Sequence, residues 1–282
     1  GPLERDRRLE RAEKHWQRRE REAELRQAIE VWEEALSHSG EDPTIRLRLS
    51  RAYHLLSRMI STPVDVDACG GADEAGSAAG EPLTDAARRH QVLELLARGM
   101  ASAEKALEAL APGLLVDLLD LDPVGAKSSR LSAPALRALY FRSVNLKEWA
   151  SLQGFAEEVA RQREIRAAME ICLRRAPGLF YGGPHRYFGA YFAYPLHAGD
   201  RDLKRSRDHF ERALRIAPDF LQNRLDFAGH YAVAAQDYET FAEQLAIVLR
   251  DAAGGQPEPV AENRLLRRRA ERLWRRAAAL FE

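Results

Sequence analysis

The chain has 282 residues, and its 43 lysines and arginines are matched by 43 aspartates and glutamates. Zero net charge excludes a general nucleic-acid binder and a polybasic membrane-surface protein, both of which need a basic excess. The 45% hydrophobic and 30% charged residues are those of a soluble globular chain, no apolar run of about 18 residues exists to span a membrane, and two cysteines build no disulfide framework.

Gly1-Pro2 resembles the scar of a cleaved expression tag, a start that leaves any native leader, and hence the compartment, unread. From there the chain reads as helix after helix, with apolar residues at i, i+3, i+4 and i+7 and no hairpin-bounded alternation. One helix is expected from Arg5 to Ser37: Arg and Glu at i,i+4 spacing first, then an amphipathic half through Leu25, Ile29, Trp32 and Leu36. Residues 1–24 thus read as a charged helical extension. Gly40-Glu41-Asp42-Pro43 breaks this helix, and the next runs over 44–60. Residues 61–83, rich in Gly, Ala, Asp and Ser, predict a flexible insertion loop. Thr84 or Asp85 caps a long helix ending at Ala111-Pro112. A short helix is expected at Leu114–Leu119 inside an irregular stretch. Further helices are predicted near 133–151, 154–176, 184–196, 201–217, 219–235, 237–252 and 259–281.

The helices pair into degenerate repeats. A tetratricopeptide unit is two antiparallel helices of about 34 residues, small residues at the contact, aromatics in the gaps and Pro at the end. Phe210, Ala213 and Pro218 occupy such positions. So do Ala28, Trp32 and Ala35, followed by Leu49-Ser50 and Tyr53 on the next helix. AEKALEALAP (103–112), MEICLRRAP (169–177) and QDYETFAEQLAIVL (236–249) are further second-helix endings. The fold class expected is all-α: an α-solenoid of degenerate tetratricopeptide-like helix pairs, one repeat domain over 1–282. A stacked array binds on its concave surface and rarely does chemistry.

Three segments carry a family resemblance: LYFRSVNLKEWASLQGF at 139–155, LFYGGPHRYFGAYFAYPL at 179–196, and the repeat from Gly199 to Phe241, closed by ENRLLRRRAERLWRRAAALF at 262–281. Together these resemble the T-component of tripartite ATP-independent periplasmic (TRAP) transporters. The resemblance implies a periplasmic, lipid-anchored helical protein that associates with the transporter's substrate-binding protein and forms a trimer around a pore.

Two clusters are candidates for chemistry. Seven of the 22 aromatics fall within residues 180–194, so this helix must be central. Tyr187, Tyr191 and Tyr194 share a face, with Tyr181 just ahead. Core packing is the plainer reading; a pocket wall with Tyr hydroxyls as its polar groups is the other. Arg186 opposes the macrodipole at the helix start and needs either a carboxylate partner or an anionic ligand. Gly182-Gly183-Pro184 reads as a tight turn with Pro at the first helical position. On the helix predicted at 133–151, Asn145 and Trp149 stand one turn apart among Leu136, Leu139, Tyr140 and Val144. A buried Asn145 makes a structural hydrogen bond or reads a ligand. The candidate ligand- or partner-binding residues are therefore Tyr140, Asn145, Trp149, Tyr181, Arg186, Tyr187 and Tyr191, which suit an anionic or amphipathic ligand.

Asp65-x-Asp67-x-Cys69-Gly70-x-x-Asp73 is a poor calcium loop, with Gly76 where its last acid should be. The eight histidines have no zinc spacing, so no metal and no cofactor are expected. Cys172 reads as a buried thiol. No nucleophile elbow, phosphate loop or dinucleotide fingerprint is present. The function expected is a non-enzymatic accessory component of a TRAP-type transporter; the alternative is a generic tetratricopeptide-like scaffold for protein partners.

Overall fold

In a computed structural model of the chain, residues 2–61, 85–119, 131–250 and 257–281 are described. Every regular element among them is helical. The predicted loop at 61–83 lies, but for Ser61, outside the described residues, and so does Cys69. The chain divides into two compact units, Gly1–Ala168 and Met169–Glu282.

The first unit holds α1 (Pro2–Trp16), α2 (Glu22–Ser39), α3 (Pro43–Ser61), α4 (Asp85–Leu110), α5 (Leu114–Leu119), α6 (Ala133–Gln153) and most of α7 (Phe155–Arg175). Side-chain pairs fix the directions. His15 meets Glu24, Arg11 meets Glu34 and Arg5 meets Asp42, so α1 and α2 are antiparallel. Asn145 of α6 meets Ser50 of α3, and one turn on Glu148 meets His54, so those two helices are parallel. Arg142 of α6 pairs with Glu104 of α4, whose Gly99 backs onto Asn145, so α4 runs opposite to both. Chain direction therefore alternates between α1 and α2 and among α3, α4 and α6.

The single helix expected over Arg5–Ser37 is two, broken at Gln17–Arg21. The break lets Trp16 turn onto Trp32, 5.6 Å between ring centroids. Arg19, only 1% exposed, lies over the Trp16 ring at 4.6 Å and donates to the Trp16 carbonyl. No Gly or Pro marks the turn. Burying one Trp pair, with cations stacked on it, outweighs four or five residues of helix propensity. The charges read as i,i+4 pairs within one helix also bridge helices: Arg8 and Arg11 both reach Glu34.

The second unit opens with the end of α7 and continues through α8 (Leu179–Ala193), a 3₁₀ turn (Ala198–Asp200), α9 (Leu203–Ile216), α10 (Gln222–Asp226), a π-helical segment (Phe227–Ala232), α11 (Val233–Ala235), α12 (Tyr238–Arg250), α13 (Pro257–Arg275) and α14 (Ala277–Leu280). Gly182 faces Ala213, His185 faces His209 and Gly189 faces Phe210, so α8 and α9 are antiparallel over their full length. A Cβ at Gly189 would lie 2.7 Å from the Phe210 ring; the absent side chain is what admits the ring. The residues marked as repeat positions are core: Trp32, Ala35, Ala106, Cys172, Phe210, Ala213 and Phe241 are all essentially inaccessible. Each large one contributes about 1.5–3 kcal/mol by leaving water.

Candidate functional site: a left-handed turn on an aromatic helix

Helix α8 begins with an unusual turn. Phe180 (φ 45°), Tyr181 (φ 58°) and Gly182 (φ 82°) are all left-handed. Only glycine adopts this region freely; for Phe and Tyr it costs about 1–2 kcal/mol each. The expected Gly182-Gly183-Pro184 turn is therefore displaced two residues toward the N-terminus, with its bend at 180–182 and Pro184 in the regular helix behind it.

Arg186 holds the bend. Its guanidinium donates to the Phe180 carbonyl (3.0 Å), the Tyr181 carbonyl (2.8 Å) and Asn223 Oδ1 (2.7 Å), with Asp226 3.8 Å away. It also lies over the Phe180 and Phe220 rings at 5.6 and 4.9 Å. The cation that opposes the helix dipole at this position thus gains carbonyl dipoles and ring faces in return. Asn223, fully buried, completes the clamp: its amide donates to the carbonyls of Tyr181, Ala213 and Ala217. The last two are carbonyls at the C-terminal end of α9, which also accept from the Ala217 and Phe220 backbone N–H groups. Gly182 seals the contact, since a Cβ there would stand 3.0 Å from the Ala213 Cα.

The rings of Phe180, Tyr181 and Phe220 cluster with centroids 4.5–5.6 Å apart. Phe180 and Tyr181 keep part of their surface in solvent. Further along α8, Tyr187 stacks on Tyr191, and the Tyr191 hydroxyl bonds Asp200 at 2.5 Å. On the opposite side His185 Nδ1 lies 2.9 Å from His209 Nδ1, so one ring donates to the other. Burial, then the nearby Arg212 and Arg215, pull the His185 pKa down to about 4. Burial, His185 and the cations of α9 pull His209 down to about 4 as well. Both rings are neutral at pH 7.

In the first unit, Asn145 is completely buried at the junction of α3, α4 and α6. Its amide donates to the Phe141 carbonyl (2.7 Å) and to Ser50, whose hydroxyl donates to the Gly99 carbonyl. Its own oxygen has no hydrogen-bond partner and abuts Gly99. Tyr140 is buried edge-on to Phe141, and Trp149 is half-buried. Of the seven candidates, Arg186 and Tyr181 are brought into direct contact, as are Tyr187 and Tyr191. Trp149, Tyr181 and Tyr187 retain accessible surface; Tyr140, Asn145, Arg186 and Tyr191 do not.

Asn223, Phe220 and His209 belong to the site and were not singled out in the sequence. Asn223 carried only a weak signal, an uncharged amide one turn from Phe220 and Phe227, but with Asp219 and Asp226 equally near on the helix. Cys172 is a buried thiol, pushed up to about 12 by burial. Among the described residues no three His, Cys, Asp or Glu side chains are grouped to hold a metal, and no helix is long and apolar enough to cross a membrane.

Each unit is built of packed helices with buried polar clamps, so the protein is of the all-α class. The chain's particular family follows from its sequence: residues 73–281 match the family of the TRAP transporter T-component, and the chain belongs to it. The protein is therefore an accessory component of a transport system. No curated protein matches the chain in sequence.

Proposed function

We propose that the protein is the periplasmic, non-enzymatic subunit of a TRAP-type transporter that associates with the transporter's substrate-binding protein. Its helix pairs form a tetratricopeptide-like solenoid, its precursor carries a lipid anchor, and it assembles as a homotrimer. Membership of the T-component family carries this reading. Burial of the small and aromatic repeat positions supports the solenoid.

Within the candidate set, Trp149, Tyr181 and Tyr187 are the side chains that touch the partner, because they retain accessible surface. Arg186 acts as a positioning residue: an anionic solute would have to displace two carbonyls and Asn223 from it. Titration calorimetry of the purified chain against the substrate-binding protein of the same transporter tests the reading. A saturable complex is expected, weakened several-fold by Tyr181→Ala without loss of helicity. Absence of any complex, with and without the solute, would overturn it.

A further inference from the structure

We infer that the outer face of α9 is a docking surface for an acidic protein partner; the inference rests on the accessory role proposed above. Lys204, Arg205, Asp208, Arg212 and Arg215 are all exposed, and at 100° per residue they share one side of the helix over about 16 Å. Four are cations and one is an anion, with the half-exposed Glu211 at the edge of the stripe. Among the described residues no carboxylate pairs with Lys204, Arg205 or Arg212. Arg215 reaches Glu211 only at 4.0 Å, and Arg207 holds that same carboxylate at 2.9 Å.

Elsewhere many surface cations are paired, while Arg137, Arg163 and Arg174 are exposed and, like these, have no carboxylate partner among the described residues. Arg5, Arg8, Arg11, Arg26, Arg46, Arg48 and Arg98 are each tied to a carboxylate. The α9 cations are also badly placed for stability. Lys204 and Arg205 stand in the first turn, which contains no acidic residue, where they oppose the helix dipole. A face with an excess of cations, two of them dipole-opposed, gains when an anionic surface covers it. Arg205 is further held over the Phe192 ring at 3.9 Å, so part of its orientation is fixed before any partner arrives. Asp208 sits in the middle of the stripe. A continuous phosphate backbone would meet that carboxylate with repulsion, whereas a protein surface can offset it with one cation of its own. Ile216, 40% exposed at the end of the stripe, adds an apolar contact of the kind found at protein interfaces.

The test compares two triple variants of the full chain with equal change in net charge: Lys204→Glu/Arg205→Glu/Arg212→Glu on α9, and Arg137→Glu/Arg163→Glu/Arg174→Glu elsewhere on the surface. A Gln version of the α9 triple guards against misfolding. Poly-L-glutamate at low ionic strength is the first probe. It should bind wild type and the control, and at least tenfold more weakly to both α9 variants. The substrate-binding protein is the second probe, with the same ordering and a shallower salt dependence for the α9 variants. If that protein binds wild type and the α9 variants equally, the inference fails and the proposed function stands. If it binds nothing while poly-L-glutamate still requires α9, the proposed function fails and the acidic docking face stands. Poly-L-glutamate binding that ignores the α9 substitutions, or tighter α9-dependent binding of a short DNA duplex, would overturn the inference.

Discussion

Two buried amides, one in each unit, are held in opposite ways. Asn145 sits where α3, α4 and α6 meet, with its amide on neighbouring backbone, its oxygen unpartnered and no strained residue nearby. Asn223 has every polar atom engaged, and with Arg186 it holds Phe180 and Tyr181 in left-handed conformations. The first fills a seam between helices. The second maintains a backbone shape the chain would not otherwise adopt. Strain of this kind persists only where the surroundings over-determine it, and it gathers at functional positions.

The comparison sharpens with substitutions in descending order of effect. Arg186→Ala removes a buried donor from the Phe180 and Tyr181 carbonyls and from Asn223 Oδ1. It should cost about 3 kcal/mol or more, lowering the melting temperature by roughly 6–12 °C in a domain of this size. A smaller loss than for Asn145→Ala would break the contrast. Gly182→Ala adds a methyl 3.0 Å from the Ala213 backbone at φ 82°, and should cost about 2–3 kcal/mol in denaturant unfolding. A neutral result would mean the turn is not packed as described.

The histidine pair gives a pH test. Both folded pKa values lie below the ordinary 6.5, so the unfolded chain binds more protons between pH 6.5 and 4. Stability contributed by the pair is complete above 6.5, falls as the pH drops through this window, and levels off below 4. For the almost fully buried His185 the change is about 3 kcal/mol. The wild-type stability curve should steepen in that window relative to His185→Phe, and parallel curves would contradict the neutral pair. Next, Asn145→Ala removes hydrogen bonds to Phe141 and Ser50 and should cost about 1–2 kcal/mol. Last, Arg11→Ala breaks an exposed pair with Glu34 and should change stability by less than about 1 kcal/mol.

Much of the helical layout was legible in the sequence because amphipathic periodicity and Pro or Gly punctuation coincide. The predicted short helix Leu114–Leu119 matches the structure residue for residue, and the helix predicted over 133–151 starts at Ala133 and runs to Gln153. The α1–α2 break was not legible: residues 17–21 contain only Gln, Arg and Glu, and the driving force is the Trp16–Trp32 contact, long-range in sequence. Arg186 was legible as a cation needing partners. Its actual partners, two carbonyls and an amide 37 residues away, were not, because backbone acceptors leave no mark in a sequence. The left-handed turn was half visible: Gly182 announced a bend, but nothing local requires Phe180 and Tyr181 to join it.

The central claim, that this chain serves a transporter as an accessory subunit, is tested most directly by uptake. The measurement is entry of the solute bound by the cognate substrate-binding protein, in cells with and without the gene for this chain. The account predicts that deletion lowers uptake while solute binding to the isolated substrate-binding protein is unchanged, and that the wild-type gene restores it. Undiminished uptake in the deletion strain would contradict it.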